Sequence, residues 1–148
     1  TEDASGVKTT MDYDVDGRLT TVTDAAGNVI RTVYGTEADG LEGLVAAREY
    51  PTYREEYRYD ERDRVVQTRQ VLTPTLSYVT KQAYDPAGNV VSMEDAKQRT
   101  SLRRYDALGR LREEIGVDGG VTRYRYDVRD QVLEVTDAEN NTHRFSYD

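Results

Sequence analysis

The groups able to do chemistry in this sequence are its carboxylates, its tyrosines and one histidine. Among 28 Asp and Glu residues there is material for a general acid and base of the kind that cleaves glycosidic bonds, which needs only two carboxyl groups at a suitable separation. Yet the aspartates recur at regular places: Asp14, Asp60, Asp85, Asp106 and Asp127 form one series, and Asp24, Asp95 and Asp137 another. A unique active site does not repeat itself, whereas an aspartate that caps a turn does. Asp14-Val15-Asp16-Gly17 opens like a calcium loop. It lacks the glutamate that would close one, and the other copies do not repeat its second acid, so no calcium site is read from it. His143, the only histidine, lies in the run from Asn140 to Phe145, with no serine or carboxylate at a spacing that suggests a triad. It reads as a strand-surface residue. No catalytic residue, cofactor or metal ligand is assigned.

Composition narrows the remaining classes. With 20 basic against 28 acidic side chains the net charge is −8 and the pI about 4.7, which repels phosphate backbones and leaves no nucleic-acid partner expected. Arg103-Arg104 and Arg123 with Arg125 alternate with acids and tyrosines and read as cross-strand pairs on solvated faces. No stretch approaches the roughly 20 apolar residues of a membrane helix, so membrane insertion by this chain is not expected. The N-terminal residues lack the basic-then-apolar layout of a signal peptide. With no cysteine there is no disulfide framework and no thiolate metal site. Leu, Ile, Val and Phe together make up just under a fifth of the residues, which at this net charge leans against a compact core. The counterweight is 12 tyrosines, each able to bury a ring while its hydroxyl stays wet.

The elements that must position these residues show in an internal repeat. Tyr-Asp occurs at Tyr13-Asp14, Tyr59-Asp60, Tyr84-Asp85, Tyr105-Asp106, Tyr126-Asp127 and Tyr147-Asp148, the last four 21 residues apart. Tyr34-Gly35 is a degenerate copy 21 residues after Tyr13, and the steps from Tyr34 to Tyr59 to Tyr84 are 25 each. Four residues after the tyrosine comes a turn residue (Gly17, Asp63, Gly88, Gly109, Asp130), then usually a polar one, then an aliphatic. That pattern predicts a two-residue hairpin turn at positive φ leading into a strand. Second turns follow about ten residues on, at Asp24 to Asn28, Asp118 to Gly120 and Asp137 to Asn141.

Between turns the apolar period is two. Tyr57 and Tyr59, Tyr124 and Tyr126, and Phe145 and Tyr147 each flank one polar residue, so the rings share a face. The fold class is all-β: antiparallel hairpin repeats of about 21 residues per two strands, in a sheet wide enough to curl and spiral. Some fourteen strands at about 4.8 Å would span roughly 60 Å. Equivalent tyrosines are expected to stack into a ladder that replaces a conventional core. Residues 1–148 read as a single array of about seven units, with insertions near 40–57 and 70–82. The first contains Ala46-Ala47-Arg48-Glu49, which could form one helical turn before Tyr50-Pro51, within a longer hairpin or outward loop. The second centres on Pro74, which belongs at a turn or bulge.

These units resemble the YD-repeat, or Rhs-repeat, proteins of bacteria, a likeness that covers nearly the whole chain. It rests on the six Tyr-Asp copies, their spacing of 21, and the Asp-Ala-Ala-Gly-Asn turn at 24–28. The resemblance implies part of a hollow β-shell, as in Rhs polymorphic toxins and related toxin complexes, that walls off a toxic C-terminal cargo. It further implies a non-enzymatic, structural role, with the remainder of a longer polypeptide and its enclosed cargo as partners. Secretion or cell-surface placement of the intact parent follows from the same likeness. Toxin-type members cleave themselves at an Asp-Pro-x-Gly block at the end of the repeats. Asp85-Pro86-Ala87-Gly88 matches those letters but lies mid-array, and no protease role is assigned to it. The structural motif residues are Tyr13, Asp14, Gly17, Tyr34, Tyr59, Asp60, Tyr84, Asp85, Gly88, Tyr105, Asp106, Gly109, Tyr126, Asp127, Tyr147 and Asp148. A second reading makes the tyrosines a carbohydrate-binding or adhesion surface. Exposed sheet edges are expected to promote self-association.

Overall fold

In a computed structural model of the chain, which describes residues 8–148, strands and tight loops alternate almost throughout. The chain divides into two units, Thr1–Val79 and Thr80–Asp148. The first holds β1 (Thr10–Tyr13), β2 (Leu19–Thr23), β3 (Val29–Tyr34), β4 (Val45–Glu49), β5 (Arg54–Tyr59), β6 (Val65–Thr73) and the start of β7 (Leu76–Tyr84). The second holds the rest of β7, then β8 (Val90–Glu94), β9 (Thr100–Tyr105), β10 (Leu111–Ile115), β11 (Val121–Tyr126), β12 (Val132–Thr136) and β13 (Thr142–Arg144). Within β1–β6 and within β7–β13 each strand pairs antiparallel with its neighbours in sequence, so the topology is a meander of hairpins, the all-β class that the period of two predicts.

The loops differ in one respect from expectation. Asp14 N–H donates to the Arg18 carbonyl at 3.0 Å, and Gly17 N–H donates to the Asp14 carbonyl at 3.1 Å, so three residues, not two, separate the closing pair. Gly17 then takes φ +78°. This is the three-residue hairpin loop whose last residue is left-handed, and it puts one positive-φ residue where a two-residue primed turn commonly needs two. The same backbone bonds close the loops at Asp24, Asp60, Asp85, Asp95, Asp106, Gly116, Asp127 and Asp137. Where glycine is absent, Asp63, Gln98, Asp130 and Asn140 adopt the left-handed conformation themselves, with φ between 59° and 66°.

A bulge accompanies every Tyr-Asp hairpin. Tyr126 pairs with Val132 and Arg125 with Glu134, which leaves Leu133 without an opposite number. The same slip strands Thr20, Ala46, Val66, Val91 and Arg112. An unpaired residue turns its neighbours' backbone groups out of the ladder, and the site described below uses them.

Almost nothing is fully buried. Among the described residues only Ala47 is inaccessible, while most tyrosines and strand aliphatics are half-buried and Tyr13, Tyr78 and Tyr147 are exposed. The Ala46 to Glu49 run lies in strand β4 and not in a helical turn, because Ala47 pairs with both Val33 and Glu56. The extra residues after Tyr34 lie in the connection from Gly35 to Leu44, which carries a short 3-10 turn at Glu37–Asp39. Gly35 stands where other units have aspartate, and a Cβ there would collide with Leu41 side chain and backbone. The later insertion lengthens β6 and β7 to nine residues each, with Pro74 at the hairpin tip.

Candidate functional site

The recurring constellation starts at the loop aspartate. Asp106 Oδ1 accepts the backbone N–H groups of Leu108 and Arg110, at 2.9 and 3.0 Å, and Oδ2 accepts Arg110 Nε at 2.8 Å. The carboxylate thus occupies loop donors and the side chain that follows the loop, a charge-assisted version of the Asx turn. Asp14, Asp60 and Asp95 hold Arg18, Arg64 and Arg99 in the same way. Asp24, Asp85 and Asp137 hold Asn28, Asn89 and Asn141. Asp127 clamps the backbone of Arg129 and Gln131. In the loop that opens with Gly116, Asp118 supplies the carboxylate to Gly120 N–H from the third position.

In the loops of Asp14, Asp24, Asp60, Asp85, Asp95, Asp106 and Asp137 these bonds hold the carboxyl below its ordinary range. The Arg64 guanidinium, with backbone N–H groups of Arg62 and Arg64, lowers Asp60 to about 2. Asp14 is lowered chiefly by the Arg18 N–H, Asp106 by the Arg110 side chain, and Asp24, Asp85 and Asp137 by their asparagines. Every one of these groups favours the ionised acceptor form, so none is a proton donor at neutral pH.

The tyrosine joins one repeat to the one before it. Tyr126 O–H donates to the Leu111 carbonyl at 2.8 Å, and the Arg110 guanidinium lies 4.8 Å from the centre of the Tyr126 ring. Tyr34 repeats both contacts, donating to the Leu19 carbonyl at 3.1 Å beneath Arg18 at 4.6 Å. Tyr59, Tyr105 and Tyr147 donate to the carbonyls of Val45, Val90 and Val132. Each accepting residue borders the bulge of its hairpin. Clamp, cation–π contact and cross-repeat hydrogen bond together make a staple.

The expected ring-on-ring ladder is not how the tyrosines interact. Equivalent tyrosines are two strands apart, about 10 Å, beyond the roughly 4.5–7 Å of aromatic contact. An arginine and a backbone carbonyl bridge the gap. A true ring stack occurs elsewhere, between Tyr50 and Tyr53 at 4.4 Å. Of the remaining motif residues, Tyr13 is exposed and its O–H points to Met11 Sδ at 3.6 Å, while Tyr84 O–H accepts from Gln82 Nε2 at 2.7 Å. Gly17, Gly88 and Gly109 take the left-handed loop position. Asp148 is exposed beyond β13.

The arginines that follow the loops, and the carbonyls at the bulges, are the functional groups that sequence reading missed. Their signal was present: an arginine, asparagine or glutamine directly after the turn residue, four positions after the aspartate. Arg104 and Arg123 both pair with Glu113, at 2.7 and 3.1 Å, and Arg125 and Arg144 both pair with Glu134, at 3.7 and 2.9 Å. The basic clusters are therefore cross-strand ion pairs. His143 is exposed on β13 opposite Val135. Among the described residues no three His, Asp or Glu side chains gather where they could hold a metal ion.

Comparison with known proteins gives the architecture its class. The RHS Repeat family model matches residues 1–29 and 105–142. The chain is 30% identical over 146 residues to the probable deoxyribonuclease RhsB of Dickeya dadantii and 29% identical to RhsA of the same organism. These matches cover 99% of this chain and 10% of each relative. In fold it superposes on the crystal structure of TcdB2-TccC3 without its hypervariable C-terminal region, with a TM-score of 0.81 at 19% identity, over 99% of this chain and 9% of that one. The Photorhabdus luminescens Tc holotoxin pore gives 0.65 at 17% identity, over 99% of this chain and 10% of that one. The fold is that of a structural β-repeat segment. The chain is an array of Rhs, or YD, repeats.

Proposed function

We propose that the chain is a non-enzymatic stretch of Rhs wall whose task, within a longer polypeptide, is to enclose a C-terminal toxin or other cargo. The observation that carries this reading is the staple: the aspartate, the arginine and the tyrosine hydroxyl that could have done chemistry are spent on one another and on backbone groups. The deoxyribonuclease activity in the relatives' names would then reside outside the tenth of their length that this chain spans. Residues 1–148 would act as one array, and the Tyr-Asp residues as its fasteners. The parent would work outside the cell that makes it or at its surface. Its acidic surplus would help retain a basic cargo, in a manner that salt weakens.

A carbohydrate-binding face on the tyrosine series finds less support, since the hydroxyls of Tyr34, Tyr59, Tyr105, Tyr126 and Tyr147 are already donated to backbone carbonyls. The test is limited proteolysis of a polypeptide containing these repeats and the segment downstream, read by mass spectrometry. Survival of the downstream segment while loops such as Gly35 to Leu44 are nicked is expected. Its rapid loss would overturn enclosure.

A further inference from the structure

One edge of the first unit departs from the repeat in two adjacent places. The connection between β4 and β5, Tyr50-Pro51-Thr52-Tyr53, has no aspartate clamp and is closed by Tyr50 N–H to the Tyr53 carbonyl at 2.9 Å. Beside it the β6–β7 hairpin overshoots the usual strand length and ends at Pro74. Together with the loop at Asn28 they enclose an open trough of about 730 Å³, wholly within that unit. Places where a strict local rule is broken without a packing reason are where function is expected.

The lining specifies the occupant. The lining holds Pro51, Pro74 and Tyr50 stacked on Tyr53. Val29, Val71 and Leu72 add aliphatic side chains to it. Apolar side chains would gain from burial against these residues, and Asn28, Thr52 and Thr73 add polar groups to the lining. The trough is open to solvent, which suits a chain laid across it better than a small molecule that must be enveloped. At its rim, Arg31 pairs in register with Glu49, but Glu49 is taken by Arg54 at 3.0 Å. Among the described residues no carboxylate forms an ion pair with Arg31. We infer that the trough is a binding site for an extended peptide that lays proline or another apolar side chain against Tyr50 and Tyr53 and sets a carboxylate on Arg31.

The test is a display library of linear dodecapeptides panned on the immobilised 148-residue chain, followed by fluorescence anisotropy of the enriched peptides. A consensus joining apolar residues to an acid is expected, with affinity falling at least tenfold in Arg31→Gln and in Tyr53→Ala. Thermal melts of both variants show whether each is folded. If Tyr53→Ala is not, Tyr53→Leu replaces it, keeping bulk while removing the ring. Absence of enrichment, or enriched peptides indifferent to Arg31→Gln in a folded chain, would overturn the assignment. So would saturable, Tyr53-dependent binding on an oligosaccharide array in place of peptide.

Discussion

Tyr126 reaches fifteen residues back along the chain to donate its hydroxyl proton to the Leu111 carbonyl, at 2.8 Å. Leu111 borders the bulge between β9 and β10 that strands Arg112. The hydrogen bond therefore links a motif tyrosine to an irregularity in the preceding repeat. Tyr126→Phe keeps the ring under Arg110 and removes only this bond. A loss of roughly 0.5–1.5 kcal/mol is expected in denaturant unfolding, and unchanged stability would show that the bond contributes nothing net.

The clamps can be ranked by substitution. Asp106→Asn retains an oxygen for the Leu108 and Arg110 N–H groups but loses the ion pair, whereas Asp106→Ala loses both. The expected order of melting temperature is wild type, then Asn, then Ala. Equal melting of Asn and Ala would mean that the backbone bonds are immaterial.

Acid sensitivity follows from the direction of the shifts. Asp14, Asp24, Asp60, Asp85, Asp95, Asp106 and Asp137 all have folded pKa values below 3.8. A group lowered on folding stabilises fully above its unfolded pKa and ceases to do so as pH falls through its folded one. Stability should hold from neutrality to just above pH 4 and then fall progressively towards about pH 2, where Asp60 titrates. Melts across that range check it, and a flat profile down to pH 2 would contradict it.

Two glycines separate strain from collision. Gly27 has open space for a Cβ but sits at φ +84°, so Gly27→Ala should cost roughly 1 kcal/mol from the left-handed backbone alone. Gly35 has no such φ, yet an added Cβ meets Leu41. Gly35→Ala should therefore destabilise the first unit more, as urea unfolding of the two variants would show.

Much of this was legible in the sequence, for physical reasons that also mark the limit. A turn residue, glycine or aspartate, four residues after the Tyr-Asp tyrosines from Tyr13 to Tyr126, and alternation such as Tyr124-Arg125-Tyr126, are local rules, and they gave the hairpins and their shared face. The bulge was less visible because it depends on the register between strands. Its trace is that aspartates at 85, 95, 106, 127 and 137 are separated by even and odd intervals, and an odd period over two strands leaves one residue without a partner. The reach of Tyr126 to Leu111 crosses between repeats and has no local signature. Tyr50 and Tyr53 read only as part of an insertion until the β6–β7 hairpin was seen beside them.

Because each strand of the described residues leans on its sequence neighbours, force applied along such a meander is met by contacts between adjacent strands. The polypeptide would pay out hairpin by hairpin, each 21-residue repeat releasing roughly 70 Å of extended chain. A wall made this way is opened from an end, like a seam, with the staple between Arg110 and Tyr126 as one of its stitches.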